Sequence, residues 1–374
     1  MPTVAVSANG GDVWVAWGQA LTDSTSDVWV TRIRDGRVEP AQRLDTVPGR
    51  ASISKECPPQ VVTTPNGDVL VAWSSNRATR PTQTDAALVV ARRAAGDSKF
   101  GAPIEVGLGL PGRPRVQLYS DLAVDQRGEV HLCWLDLGRY VASTDASAGD
   151  EHHGMDAMVD DADYCTTSSR DGGRQFEPPQ VIDTVACICC RTSIAASGNG
   201  TVQLLWRHVF PGLIRDPVMA RSTDGGRTFA QPVRVHEDGW RLAGCPDIGP
   251  SVVVSTAGID VAWYTGAAGR VGACVAHSTD GTSLSVPRAL VAGDRVPPTE
   301  VKLARWSGQT WAVYEDSRRD PAILRVVDLH SGVPGSKPLE VGTGRNPGVG
   351  AGGERMAIVW EERGEIWLRL CTMD

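Results

Sequence analysis

An all-β propeller is the fold class this sequence predicts, on three observations. A Gly-rich turn, alternating apolar residues and a closing Trp recur as one pattern along the whole chain. Short apolar runs flank each copy and supply further strands. Gly (41) and Trp (12) are abundant, while long runs with a helical period are few, which is the signature of a repetitive β protein.

The clearest copies are Gly11-Asp12-Val13-Trp14-Val15-Ala16-Trp17 and Gly67-Asp68-Val69-Leu70-Val71-Ala72-Trp73. Gly128-Glu129-Val130-His131-Leu132-Cys133-Trp134 and Gly200-Thr201-Val202-Gln203-Leu204-Leu205-Trp206 follow. Looser copies close at Trp263, Tyr314 and Trp360. Each is the second strand, B, of a unit. In unit two, Pro59-Gln60-Val61-Val62 precedes it as strand A, Leu88-Val89-Val90-Ala91 follows as C, and Pro103-Ile104-Glu105-Val106 as D. A lone four-stranded sheet cannot bury both faces, so the units stack radially. The expectation is one domain over residues 1–374 with seven blades, or six if a terminal copy closes the ring. The seventh copy ends near Cys371 without a D strand.

Composition narrows the function. Hydrophobic residues make up 41% and charged residues 22%, as in an ordinary globular protein. A net charge of −7 argues against a nucleic-acid partner, which a basic footprint would serve. No apolar run reaches the roughly 20 residues of a membrane helix. The chain opens without a charged and apolar leader, so it is expected to be cytoplasmic or exported with its signal trimmed. Nine cysteines is an odd count, leaving at least one thiol free, metal-bound or paired between chains.

A second signature lies between strands C and D. It reads Ser222-Thr223-Asp224-Gly225-Gly226-Arg227-Thr228-Phe229, with a close copy at Ser169-Arg170-Asp171-Gly172-Gly173-Arg174-Gln175-Phe176 and a decayed one from Ser278-Thr279-Asp280-Gly281. Here the chain resembles the Asp-box, or BNR-repeat, propellers that include the sialidases. The resemblance implies a turn in which Asp accepts backbone amides and Gly takes positive φ. It implies a structural role for the boxes and no chemistry of its own. For a sialidase it would also imply an arginine triad, a Tyr–Glu nucleophile pair, an acid/base Asp and an Arg-Ile-Pro motif. The nearest run, Thr31-Arg32-Ile33-Arg34, falls within a strand C, and none of the catalytic residues carries over position by position.

Antiparallel strands sort the loops onto two faces. The D-to-A and B-to-C loops share one face, and the Asp boxes lie on the other. Cys57, the run Cys187-Ile188-Cys189-Cys190, and Cys245 all precede A strands, on the first face. The B-to-C loop Arg207–Gly212 with His208 joins them, as does the longest loop, at about 137–164, with His152, His153 and Met155. Cys133, Cys274 and Cys371 fall within strands as small core residues. Thiolate and thioether ligands select copper(I), zinc or iron–sulfur clusters, and imidazole suits copper and zinc.

The expected ligands are therefore Cys187, Cys189, Cys190 and Cys245, with His208 as a fifth and His152, His153 and Met155 closing over the ion. Copper is favoured, zinc is the alternative, and the spacing matches no standard zinc pattern. If the site is catalytic, a copper-dependent oxidation of a small molecule or peptide is expected, with Arg191 and His208 as catalytic candidates and Arg191 and Arg207 orienting an anionic group. Two alternatives stand beside this reading. One is a sialidase-like glycoside hydrolase using arginines such as Arg113, Arg115, Arg191, Arg215, Arg318 and Arg345. The other is a non-catalytic binding propeller in which Cys187 or Cys189 is disulfide-bonded to Cys245 or Cys57.

Overall fold

The computed structural model describes residues 1–22, 25–78, 84–107, 109–141, 162–330 and 337–372. Among them, the strands form seven antiparallel meanders. Unit two, for example, comprises Gln60–Thr63, Val69–Asn76, Ala86–Arg93 and Ile104–Glu105 in simple A-B-C-D order. Neighbouring A strands touch one another around a complete circuit, from Pro2–Val6 through to Arg345–Gly352 and back. The circuit encloses an axial channel of about 410 Å³, lined by four residues from each A strand, Asp121, Lys302 and Arg305 among them. The architecture is thus the all-β propeller that the repeats predict. Among the described residues no helix is long and apolar enough to cross a membrane.

The recurrent Trp explains how the sheets hold together. Trp73, Trp206 and Trp263 are buried between sheets, and each indole N–H reaches back to an Asp supplied by the preceding unit. Trp73 donates to Asp45 at 3.1 Å, Trp206 to Asp183 at 2.6 Å, and Trp263 to Asp238 at 2.7 Å. In these three a large apolar body fills the gap between sheets while its one polar atom finds an acceptor, whereas the buried Nε1 of Trp134 and of Trp360 has no partner among the described residues.

The Asp boxes form tight turns as expected. Asp224 Oδ1 accepts the amides of Arg227 and Thr228 at 2.9 and 3.0 Å, and Ser222 Oγ accepts that of Gly226 at 2.8 Å. Asp171 and Asp280 do the same in their own boxes. Gly225 and Gly226 have φ of +76° and +80°, which a side chain would strain.

One feature differs from the sequence reading and one agrees with it. Units three and four are one continuous eight-stranded sheet, because Ala186, at the end of strand D in unit three (Gln180–Ala186), pairs with His208 in strand B of unit four. Unit seven has three strands, Arg345–Gly352, Arg355–Glu362 and Glu365–Thr372, so its outer edge is unpaired among the described residues. At the junction of units seven and one, alternate glycines let two backbones meet. A Cβ on Gly350 would lie 2.5 Å from the Val4 carbonyl oxygen, and one on Gly352 would lie 2.3 Å from that of Ser7.

Candidate metal centre

The run Cys187–Cys190 forms the turn between strand D of unit three and strand A of unit four (Ser193–Ala196). Cys187 N–H donates to the Arg207 carbonyl at 2.8 Å, which pins the start of the turn to the neighbouring sheet. The turn folds its three thiols inward around Val209, and all three side chains are buried. The Sγ of Cys187 lies 3.7 Å from that of Cys189 and 3.5 Å from that of Cys190.

Cys245 arrives from a second segment. Strand Ile214–Ser222 holds that segment through Arg215 N–H to the Trp240 carbonyl at 2.9 Å, and through Asp216, which accepts Gly239 N–H at 2.9 Å. Gly249 allows the close approach, since a Cβ there would meet the Arg191 carbonyl oxygen at 2.3 Å. The result places Cys189, Cys245 and Asp247 with ligand atoms within 4.8 Å of one another, as are Cys187, Cys189 and Cys190. Cys189 belongs to both triads. Cys245 is the exposed member.

Two guanidinium groups back the thiols. Arg215 is fully buried and donates from Nη1 to Cys187 Sγ at 3.0 Å. Its Nε takes the Leu242 carbonyl at 3.0 Å, and its Nη2 has no partner among the described residues. Arg207 is equally buried, lies against the Trp240 ring, and donates only to carbonyl oxygens, those of Arg215, Ile248 and Tyr264. Among the described residues neither arginine has a carboxylate partner. A buried cation without a counter-charge is strongly unfavourable. The anion available is the Cys187 sulfur. Hydrogen bonds from the Cys189 and Cys190 thiols, then the charges of Arg215 and Arg207, draw its pKa well below the usual thiol value. Cys189 and Cys190 shift the other way. Cys189 is raised chiefly by the bond it gives Cys187, and Cys190 chiefly by burial.

The structure therefore brings together four of the expected ligands, Cys187, Cys189, Cys190 and Cys245. His208 is not among them. Strand Val202–Phe210 runs straight through the segment expected to be a loop, leaving a turn of only Pro211–Leu213. His208 instead bonds Asp183 through Nδ1 at 2.7 Å and packs on Phe210. Arg191 is also committed elsewhere, buried in an ion pair with Glu300. His152, His153 and Met155 lie outside the described residues. Cys57 shares the face but not the cluster, and its Sγ accepts Tyr119 N–H at 3.3 Å. Cys165, like Cys133, is a buried strand residue. All nine cysteines are free thiols. Arg207, expected to orient an anionic group, instead donates to carbonyl oxygens beside the thiols, and Asp247 and the donor role of Arg215 become recognisable only once two distant segments are brought together.

The arginines considered for an anionic sugar are mostly occupied. Arg113 pairs with Asp163, Arg115 with Asp85 and Glu105, and Arg318 with Asp316. Tyr314 is fully buried, and Glu315 accepts Ser317 Oγ at 2.5 Å and Asn346 N–H at 3.1 Å.

No family model and no curated protein matches this chain. Solved structures do match in fold. A Hadza microbial sialidase superposes with a TM-score of 0.58 at 12% identity, covering 94% of this chain and 74% of its own. A polysaccharide lyase of family PL25, an ulvan lyase, gives 0.59 at 12% identity, with 99% and 93% covered. The NanB sialidase of Streptococcus pneumoniae gives 0.53 at 10% identity, with 96% and 82% covered. At these identities the likeness is one of fold. It agrees with the propeller resemblance drawn from the repeats, and it lends no support to a copper-dependent oxidation.

Proposed function

We propose that the protein binds a soft metal ion through the thiols of its D-to-A loops, with copper(I) the first candidate and zinc the second. The spacing of the three buried sulfurs carries this reading. Sulfurs each about 2.3 Å from one tetrahedral ion stand about 3.8 Å apart, and those around Cys187 stand at 3.5 and 3.7 Å. The buried arginines supply the charge balance. One cuprous ion with three thiolates carries two net negative charges, which Arg207 and Arg215 offset. Copper(I) accepts such a three-sulfur set. A closed zinc site needs a fourth ligand, and Cys245 shares a triad with Cys189 alone of the three.

The test is metal content by mass spectrometry on protein purified under reducing conditions, paired with a free-thiol titration. About one equivalent of copper or zinc, lost in the Cys189→Ala, Cys245→Ala double variant, is the expected result. A metal-free protein with few titratable thiols would overturn the reading in favour of disulfides.

The fold favours a second reading, a sialidase-like glycoside hydrolase, and in this coarse sense the comparisons support it above any oxidation. The named neighbours are sialidases and a polysaccharide lyase, and their fold covers most of this chain. A fluorogenic sialoside and a panel of polysaccharides assay this directly. Turnover that survives removal of the four thiols would establish the second reading and leave the thiol site a separate matter.

A further inference from the structure

A second group of ligand atoms lies on the opposite face, at the seam between units five and six. Asp260 opens strand B of unit five (Gly258–Thr265), and His277 stands directly across from it on strand C (Gly272–Ser278). His330 comes from unit six, two residues beyond strand Ile323–Asp328. His277 Nδ1 lies 2.8 Å from Asp260 Oδ1, and His330 Nε2 lies 3.0 Å from both carboxylate oxygens. The two rings meet edge to face, 5.4 Å between centroids. Thr310 Oγ1, on strand B of unit six, donates to Asp260 Oδ2.

The geometry points to a divalent zinc-type ion bound by Asp260, His277 and His330, a site distinct from the thiol centre. Two imidazoles and one carboxylate are a recurrent three-ligand set for such ions, with the fourth position left to water. Nitrogen and oxygen ligands at about 2.0–2.1 Å from a tetrahedral ion stand about 3.3 Å apart. The present carboxylate–imidazole separations of 2.8 and 3.0 Å are hydrogen-bond distances, so those two edges open by only a few tenths of an ångström, and the two ring nitrogens lie within 4.8 Å of each other. Coordination uses the inner nitrogen of each ring, His277 Nδ1 and His330 Nε2, which must then carry no hydrogen.

The surroundings suit the task. Asp260 is buried, whereas the His277 and His330 side chains are 32% and 37% exposed, so the ion can enter from solvent. Thr310 fixes the carboxylate from behind, the orienting contact that metal ligands generally need. Because the ligands come from two units, the ion would tie those units together on the face where the Asp boxes lie.

The experiment is equilibrium dialysis of the full chain against zinc, counted by mass spectrometry, for the unaltered protein, for His330→Ala and for the Cys189→Ser, Cys245→Ser double variant. His330 lies beyond its strand and is partly exposed, so its replacement leaves the fold intact. The proposal expects His330→Ala to weaken one zinc equivalent by about 100-fold or more, while the cysteine variant retains that equivalent. Cobalt(II) in place of zinc supplies an independent readout. The difference spectrum between the unaltered chain and His330→Ala should show ligand-field bands without thiolate charge-transfer absorption. Equal zinc content in the unaltered chain and His330→Ala, or a cobalt difference spectrum carrying charge-transfer absorption, would overturn it. A thiol centre that fails its own test leaves this result unaffected, because the two sites share no ligand.

Discussion

Cys187 shows how much a single residue's chemistry depends on partners far away in sequence. Alone, a buried thiol stays protonated. Two neighbouring thiols and the fully buried Arg215 reverse that preference. The sign of the effect gives a prediction. Replacing Arg215 with Met removes a positive charge and a hydrogen bond to the sulfur, so the Cys187 pKa rises toward the ordinary thiol value of 9.0. A proton then competes with the metal. Copper(I) affinity, measured by competition with a chromophoric chelator, should fall about 10-fold or more at pH 6 and much less at pH 9. An equal loss at both values would mean that Arg215 acts by packing and not by charge. The candidate site was half legible at this scale. A dense cysteine run and the separate Cys245 flagged the four thiols that the fold brings together. His208 and Arg191 looked equally plausible, because a sequence does not reveal that Asp183 and Glu300 already hold them.

Elements were read more securely than residues, and the reason is periodicity. The B strands repeat an alternation that has only one sensible structure, and the Asp-box turns carry their conformation in four or five residues. What escaped was the pairing of elements. Nothing local in Gln180–Ala186 or Val202–Phe210 announces that two units fuse through Ala186 and His208. Nor does a lone Trp announce the Asp it will meet in the preceding unit. That pairing makes Trp206 a test of the element scale. Trp206→Phe keeps an aromatic ring against Tyr164, which stacks on it with centroids 4.5 Å apart, but deletes the bond to Asp183. The lost volume and the lost hydrogen bond to Asp183, which keeps His208 as a partner, together should destabilise the fold by about 2–4 kcal/mol in chemical denaturation. A loss under about 0.5 kcal/mol would show that the indole–carboxylate contacts do not hold the sheets to one another.

The ring as a whole closes without a shared strand. Units seven and one meet through the packing of Arg345–Gly352 against Pro2–Val6, with alternate glycines in contact with backbone. Gly350→Val has nowhere to put its side chain, and overpacking of this kind costs about 1–3 kcal/mol. We expect the loss to appear first as faster amide hydrogen exchange in those two strands, ahead of the rest of the molecule. Uniform acceleration around the ring would mean that the closure is no weaker than the other junctions. The fused sheet of units three and four, where the thiols sit, lies across the ring from this junction. The propeller is therefore a bracelet whose clasp is set far from its jewel. Should the exchange test come out as expected, opening at the clasp to heat, a protease or mechanical pull would leave the thiol setting closed, and loss of the ring and change at the thiols would be two separate events, each with its own trigger.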